Sequence, residues 1–244
     1  MTVRIGTAGW SIPKSCVSRF PATGSVLERY AQRLDIVEIN SSFYRPHRRT
    51  TYERWAASTP SSFVFSVKLP KTITHDRRLR DVADPLDRFL DEVSGLGGKL
   101  KTLLVQLPPS LEFSTALAGD FFDRLRWSFG GAVAVEARHD GWFTQEAAAV
   151  LSKARIDLVA ADPPPRRGVP KWDSIPNPVY IRLHGSPKIY FSNYSEDVLV
   201  RLAQRLVASS APAPVCIFDN TAAGLATDNA LSLTHLLAAM ADQH

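Results

Sequence analysis

Only two cysteines, Cys16 and Cys216, occur in the 244-residue chain, and they stand far apart. That excludes a disulfide framework and any C-x-x-C metal spacing. Both read as small buried or idle thiols, at home in a reducing compartment. No apolar run approaches the roughly 18 residues of a membrane span. Met1–Thr7 leads straight into a strand pattern, without the basic start and apolar core of a signal peptide. The expectation is a cytoplasmic protein with no membrane partner. Also missing are a G-x-G-x-x-G after the first strand, a Walker A loop, a G-x-S-x-G elbow and an H-E-x-x-H pair. Their absence argues against a dinucleotide fold, a P-loop enzyme, an α/β-hydrolase and a zincin. Acidic residues are in the minority, 24 against 29 Lys plus Arg, for a formal net charge of +5. So modest a bias matters through where it falls.

What is present is a rhythm. Short apolar runs fall at Val3–Thr7, Ile36–Asn40, Phe63–Lys68, Thr102–Gln106, Ala132–Arg138, Asp157–Ala161, Val179–His184 and Val215–Asn220. Most are too unbroken for a one-sided sheet and suit parallel strands buried on both faces. Helix signals fill most of the gaps. Ser25-Val26-Leu27-Glu28 and Thr50-Thr51-Tyr52-Glu53 have the form of capping boxes. Asp84-Pro85 reads as an N-cap followed by proline at the first helical position. Val198, Leu199, Leu202 and Leu206 form a helical stripe after a cap at Ser195, and Leu225, Leu233, Leu236, Leu237 and Met240 form another. Eight strand–helix repeats in roughly 250 residues predict a single (β/α)8 TIM-like barrel over residues 1–244. One segment breaks the pattern. Pro163–Pro178 holds six prolines, with Arg166, Arg167 and Lys171. It reads as a loop that overhangs the barrel mouth.

Active sites of such barrels lie at the C-terminal ends of the strands, and here those ends are polar. They carry Glu38 and Asn40, Ser66 and Lys68, Gln106, Glu136 and Arg138, Asp162, Arg182 and His184, and Asp219 and Asn220. Side chains at i and i+2 share a face, so Glu38 pairs with Asn40, Glu136 with Arg138, and Arg182 with His184. The strand-end loops add Phe43, Tyr44, Arg45, His47, Arg48, Arg49, Lys71, His75, Arg77, Arg78, Arg80, Lys188, Tyr190 and Tyr194. Such a basic, aromatic-bearing face suits phosphate, carboxylate or nucleic acid. The same strand-end groups also suit a salt-bridged plug that closes the barrel top, since charges are rarely buried unpaired. His75, His139 and His184 with Glu38, Glu136 and Asp162 offer nitrogen and oxygen donors for a metal, but at no diagnostic spacing.

The same residues carry a family likeness. Gly6-Thr7-Ala8-Gly9-Trp10, Val37-Glu38-Ile39-Asn40-Ser41-Ser42-Phe43-Tyr44, Phe65-Ser66-Val67-Lys68, Ile73-Thr74-His75, Val105-Gln106-Leu107-Pro108-Pro109, Val135-Glu136-Ala137-Arg138-His139, Tyr180-Ile181-Arg182-Leu183-His184-Gly185 and Phe218-Asp219-Asn220 follow in order along nearly the whole chain. Together they resemble the YecE-like family, domain-of-unknown-function family 72. The resemblance implies a TIM-like barrel in a cytoplasmic bacterial protein, and no settled activity. Members commonly carry a tryptophan after the first strand. Lys14-Ser15-Cys16-Val17 departs from it, while Phe20-Pro21 keeps the aromatic–proline step.

Three functional expectations follow. The first is a hydrolase or lyase acting on a small anionic, phosphorylated substrate. Glu136, Glu38 and His184 would be the acid–base groups, and Asn40, Tyr44, Lys68, His75, Gln106, Arg138, Arg182, Tyr190 and Asn220 the binding groups. Arg182 and Lys68 would hold the anion. The second is a non-catalytic binder of a nucleotide or nucleic acid. The third is a metal-dependent phosphoesterase. The residues name no cofactor and set no oligomeric state.

Overall fold

The computed structural model describes residues 3–165 and 169–241. Its strands are β1 (Arg4–Ala8), β2 (Ile36–Ile39), β3 (Val64–Lys68), β4 (Leu100–Gln106), β5 (Ala132–Glu136), β6 (Asp157–Leu158), β7 (Ala160–Asp162), β8 (Tyr180–Leu183) and β9 (Val215–Phe218). All pairings are parallel, in the order β6-β5-β4-β3-β2-β1-β9-β8-β7. The two ends of that order, β6 and β7, are consecutive in the chain. They act as one barrel strand interrupted at Val159, whose N–H still donates to Val135 O at 2.9 Å. The next residue, Ala160, already pairs with Ile181 of β8. The sixth strand thus changes partners midway and brings the ends of an eight-stranded barrel together. The expected strands are all present, each shifted by a residue or two at its ends, where assignment is least certain from sequence.

The helices α1 (Val26–Tyr30), α2 (Ser41–Tyr44), α3 (Arg49–Ala57), α4 (Ala83–Val93), α5 (Thr115–Ser128), α6 (Gln145–Lys153), α7 (Glu196–Ala208) and α8 (Leu225–Ala241) occupy the crossovers. The Ser25–Glu28 capping box is made in both directions. The Thr50–Glu53 box is not. The α3 helix begins two residues earlier, at Arg49, after an Arg48 cap with no side-chain bond, and Glu53 turns to Arg49 instead, at 3.2 Å. The Asp84 cap is likewise displaced, because α4 starts at Ala83 and leaves Asp84 in the first turn, where its charge suits the helix dipole. Two glycines, one in the first strand and one just after it, are required by the backbone. A Cβ on Gly6 would lie 2.0 Å from Ile36 O, and Gly9 turns the chain with φ +77°.

The second half of the Pro-rich segment departs from the expected overhang. Arg166 and Arg167 lie outside the described residues. From Pro170 onward the chain runs down the outer wall in place of a crossover helix. Trp172 is buried in the layer between sheet and helices. Arg205, in the last turn of α7, donates to Ile175 O, and Ser210 N–H donates to Asn177 Oδ1 at 3.0 Å, beside the entry to β8. Prolines have no N–H to leave unpaired, so such a strap needs no helical ladder. Trp172 is its anchor. Trp172→Ala should make Pro163–Pro178 the preferred site of limited proteolysis, severalfold faster than in the parent protein, with far-UV circular dichroism retained. Equal cleavage rates would show that the indole does not hold the strap.

The alternation of strand side chains decides what fills the barrel. Ile36, Leu104, Ala134, Val159, Ala161, Tyr180, Val215 and Ile217 form one interior cluster, separate from the larger layer between sheet and helices. Two residues further along several of these strands stand Glu38, Gln106, Glu136, Arg182 and Asp219. The apolar interior therefore gives way to charge at the C-terminal mouth, which is the layered filling of a TIM barrel.

Candidate functional site

Arg182 is the hub of the mouth, and no part of its side chain is exposed. Its Nε donates to Glu38 Oε2 at 3.0 Å and its Nη2 to Glu38 Oε1 at 2.6 Å, a two-pronged grip. Nη2 also reaches Asp219 Oδ2 at 3.0 Å, and Nη1 donates to Glu136 Oε2. The strand ends of β2, β5, β8 and β9 are thereby tied through one guanidinium. Its planar fork suits several carboxylates where an ammonium would not. Below it, the Tyr180 hydroxyl donates to Glu38 Oε2 at 2.8 Å and lies 2.8 Å from Ser66 Oγ. Burial and then the Glu38 charge push the Tyr180 phenol well above its ordinary value, so it keeps its proton.

Glu136 is equally committed. Its Oε1 accepts from Gln106 Nε2 at 3.2 Å, from Arg138 Nε at 2.6 Å and from His184 Nε2 at 3.1 Å. Burial alone would raise this carboxyl, but Arg182, His184 and Arg138 together hold it well below the usual range. Asp219 behaves alike, its burial outweighed by Arg182 and His184. His184 faces a carboxylate at each nitrogen, since Nδ1 is 2.9 Å from Asp219 Oδ2. Burial opposes its charge, but Glu136 and Asp219 win and its pKa is raised. With a carboxylate at each nitrogen, the site favours the charged ring, which can donate at both ends. Arg138 Nη2 lies 3.2 Å from His184 Nε2, a like-charge approach held because both groups donate to Glu136 Oε1.

Three carboxylates (Glu38, Glu136, Asp219) thus meet three cations (Arg182, Arg138, His184). Lys68 is left over. Its residue is buried, and among the described residues its Nζ has no hydrogen bond or ion pair. Its close contact is the Phe43 ring, 4.0 Å to the centroid. Burial first, and the Arg182 charge second, bring its pKa down to about 8. His75 packs edge-on against the same Phe43 ring at 4.9 Å between centroids. Burial and then Lys68 lower its pKa, so it is neutral. Asn40 stands two residues beyond Glu38, and its buried Oδ1 has no hydrogen-bond partner. Tyr190 closes the mouth over His184, edge to face at 6.0 Å, with a left-handed φ of +69° that only surrounding structure can hold.

Of the twelve residues read from the sequence as site residues, the structure gathers Glu38, Lys68, Gln106, Glu136, Arg138, Arg182 and His184 in the mouth. Asn40, His75 and Tyr190 lie around it. Two point elsewhere. Asn220 follows the inward Asp219 and so faces outward, where its Nδ2 donates to Ser192 O at 3.0 Å and Asn229 Oδ1 at 2.9 Å. Tyr44 is 74% exposed, and it is its neighbour Phe43 that meets Lys68. Asp162 also faces outward, accepting from the Tyr194 hydroxyl at 2.8 Å. His139 caps a turn, its Nδ1 accepting from Gly141 N–H at 3.1 Å. Among the described residues no group of three or more His, Cys, Asp or Glu side chains is arranged to hold a metal ion. Their oxygens surround a guanidinium instead. Asp219, Tyr180 and Phe43 were absent from the residues singled out as site. The period-2 pattern through Val215-Ile217-Asp219 and Tyr180-Arg182-His184 was the signal for the first two.

Part of the basic rim is self-satisfied. Arg78 donates to Ser110 Oγ and O at 2.9 and 2.7 Å, and Arg49 is shared between Glu53 and Asp91.

Fold and mouth define a TIM-like α/β barrel whose strand ends are locked by a buried ion network. Residues 4–244 match the family model "Protein of unknown function DUF72", and the chain belongs to that family. It is 32% identical over 152 residues to the UPF0759 protein YecE of Escherichia coli (strain K12), covering 59% of this chain and 51% of that protein. The chain thus spans about half the length of that relative. The UPF0759 protein YunF of Bacillus subtilis (strain 168) is 24% identical over 275 residues, with 96% of this chain and 94% of YunF covered. The crystal structure of a DUF72 family protein from Thermotoga maritima MSB8 superposes with a TM-score of 0.81 at 27% identity, covering 98% of this chain and all of that one. Among the described residues no helix is long and apolar enough to cross a membrane.

Proposed function

We propose that the mouth is the active site of an enzyme, a lyase or hydrolase, that acts on a small anionic substrate bearing a phosphate or carboxylate. The carrying observation is Lys68, a buried amine that no carboxylate among the described residues pairs with directly, beside a network in which every carboxylate is already matched. A buried charge with no partner is a cost to the fold. A ligand anion offsets that cost. Arg138 supports the same reading, because its Nη1 has no partner among the described residues while its Nε and Nη2 serve Glu136. This moves the anion-holding role from Arg182, whose donors are engaged by three carboxylates, to Lys68 and Arg138. It also moves acid–base chemistry away from Glu136, a carboxylate held too acidic to be an effective base, toward the neutral His75.

The test uses inorganic phosphate. At a hundred times its Kd it should stabilise the protein by about 2.7 kcal/mol, raising Tm by roughly 5–10 °C. Lys68→Met should melt at or above the parent protein without phosphate and gain at most a small shift with it. Loss of one charged hydrogen bond costs about 1.5–3 kcal/mol, or roughly ten- to a hundredfold in Kd. A Lys68→Met protein that melts well below the parent, with no phosphate shift in either, would overturn the proposal.

The exposed rim favours a second reading, a nucleotide or nucleic-acid ligand. Tyr44, Tyr190 and Phe191 are 74%, 42% and 49% exposed in the segments that follow strands β2 and β8, and Lys188 Nζ sits 4.4 Å from the Phe191 ring centroid. Such rings suit stacked bases. Affinity for single-stranded oligonucleotide that falls steeply with salt would favour this reading.

A further inference from the structure

Resting on the reading of the mouth as an anion-binding active site, we infer that Lys68 is its nucleophile and that the substrate is a small aldehyde or ketone carrying a phosphate or carboxylate. The chain has eight lysines, all among the described residues, and Lys68 alone is buried. Lys99 is the informative contrast. Its Nζ donates to Ala56 O and Thr59 O, both at 2.7 Å, and to Thr59 Oγ1 at 3.0 Å, so its lone pair is never presented. Lys68 makes no such bonds. It lies against the Phe43 face, at the C-terminal end of β3, where a barrel presents its substrate.

Its chemistry follows from that placement. With its pKa brought down to about 8 from 10.5, Lys68 holds on the order of a hundredfold more free amine at pH 7 than an ordinary lysine. Desolvated lysines activated this way form Schiff bases with carbonyl substrates. The ammonium gives one proton to a neutral base, a role we give to His75, which packs on the same Phe43 ring and feels the Lys68 charge. The Nζ lone pair then attacks the carbonyl carbon, and a second Nζ proton passes to the carbonyl oxygen. The resulting hydroxyl leaves as water with the proton returned from His75. Ammonium plus carbonyl thus becomes iminium plus water, with no net proton and no oxidant. The iminium keeps the positive charge where Glu38, Glu136 and Asp219 already favour it. It also withdraws electrons from the adjacent carbon, which suits carbon–carbon cleavage or proton removal at that position. Arg138 is left to hold the phosphate or carboxylate.

The experiment traps the imine by reduction. The full-length protein is incubated with cyanoborohydride and glyoxylate, with glycolaldehyde phosphate, or with neutral glycolaldehyde, and adducts are mapped by peptide mass spectrometry. Lys68 should be modified at least tenfold faster than exposed Lys71 or Lys188, faster with the two anionic probes than with the neutral one, and inorganic phosphate should suppress it. Lys68→Arg, which keeps the charge but forms no imine, should keep the phosphate-induced rise in Tm and lose the adduct. Even if that variant fails to fold, phosphate suppression in the parent protein decides. A phosphate shift in Tm with labelling led by the exposed lysines would overturn the nucleophile and leave the anion site standing. No shift and no Lys68 adduct would remove both.

Discussion

Arg182→Ala should lower the stability of the protein by at least about 3–5 kcal/mol, the usual consequence of removing one partner from a buried ion pair. Here the loss falls on three carboxylates at once, because Glu38, Glu136 and Asp219 all lose a donor. For a chain of this size that corresponds to a fall in Tm of roughly 6–20 °C. The cost is not the worth of the ion pairs themselves. Pairing offsets a desolvation penalty already incurred, and a well-packed apolar replacement of the whole network can be neutral. A second substitution should therefore help. Glu38→Gln added to Arg182→Ala should recover part of the loss, since it removes one orphaned charge while keeping the Tyr180 hydroxyl bond possible through the amide oxygen. Residues sharing a network couple by about 0.5–3 kcal/mol, and urea unfolding of the two single variants and the double variant measures that coupling. An Arg182→Ala protein melting within a degree or two of the parent would mean the guanidinium is not a structural hub. The mouth's functional groups would then have to include it.

The plug and the ligand site were alternatives in the sequence; the structure shows the ion network, and the ligand site we propose falls on other residues. Strand-end polarity and i, i+2 spacing were enough to bring Glu38, Glu136, Arg138, Arg182 and His184 to one mouth. They were not enough to say which cation would remain unpaired. That depends on which oxygens a rigid fork reaches across the barrel, a long-range matter that one strand's sequence does not contain. The Asp219–Asn220 pair shows a narrower failure. Both are polar and adjacent, so only the phase of the alternation separates the inward residue from the outward one, and Val215 and Ile217 set that phase. Tyr44 and Phe43 differ in the same way, but on a four-residue helix too short for any periodicity to be read. The absence of a helix after the sixth barrel strand was visible as a run of prolines. Its path was not, because the anchor is a single buried indole at Trp172 rather than a pattern.

Between pH 7 and 5 the stability of Arg182→Ala should depend on pH where that of the parent protein barely does. In the parent, Glu136 and Asp219 have carboxyls depressed in the folded state. Their contribution is complete above the unfolded value near 4 and is lost as pH falls through the lower folded values. His184 is raised, so its contribution is complete below about 6.5 and is lost as pH rises through its folded value. The network is therefore whole between about pH 4.5 and 6.5, and weakens on either side. Other groups overlay this. Asp35, Asp157 and Asp162 are raised by burial and favour the folded state as pH falls, whereas His47 and His75 are lowered and oppose it. None of these touches Arg182, so they cancel in the difference between the two proteins. Without the guanidinium, Glu38 keeps no paired cation among the described residues, and a carboxylate orphaned in a buried site takes up a proton on folding. Stability of Arg182→Ala should then rise as pH falls from 7 to 5, by about 1.4 kcal/mol per pH unit for each proton bound. The parent should stay nearly level over the same interval. Urea unfolding at half-unit steps from pH 3 to 8 gives both curves. If the two run parallel, the carboxylates do not depend on Arg182 for their charge, and the network drawn from the geometry is not the one that governs the folded state.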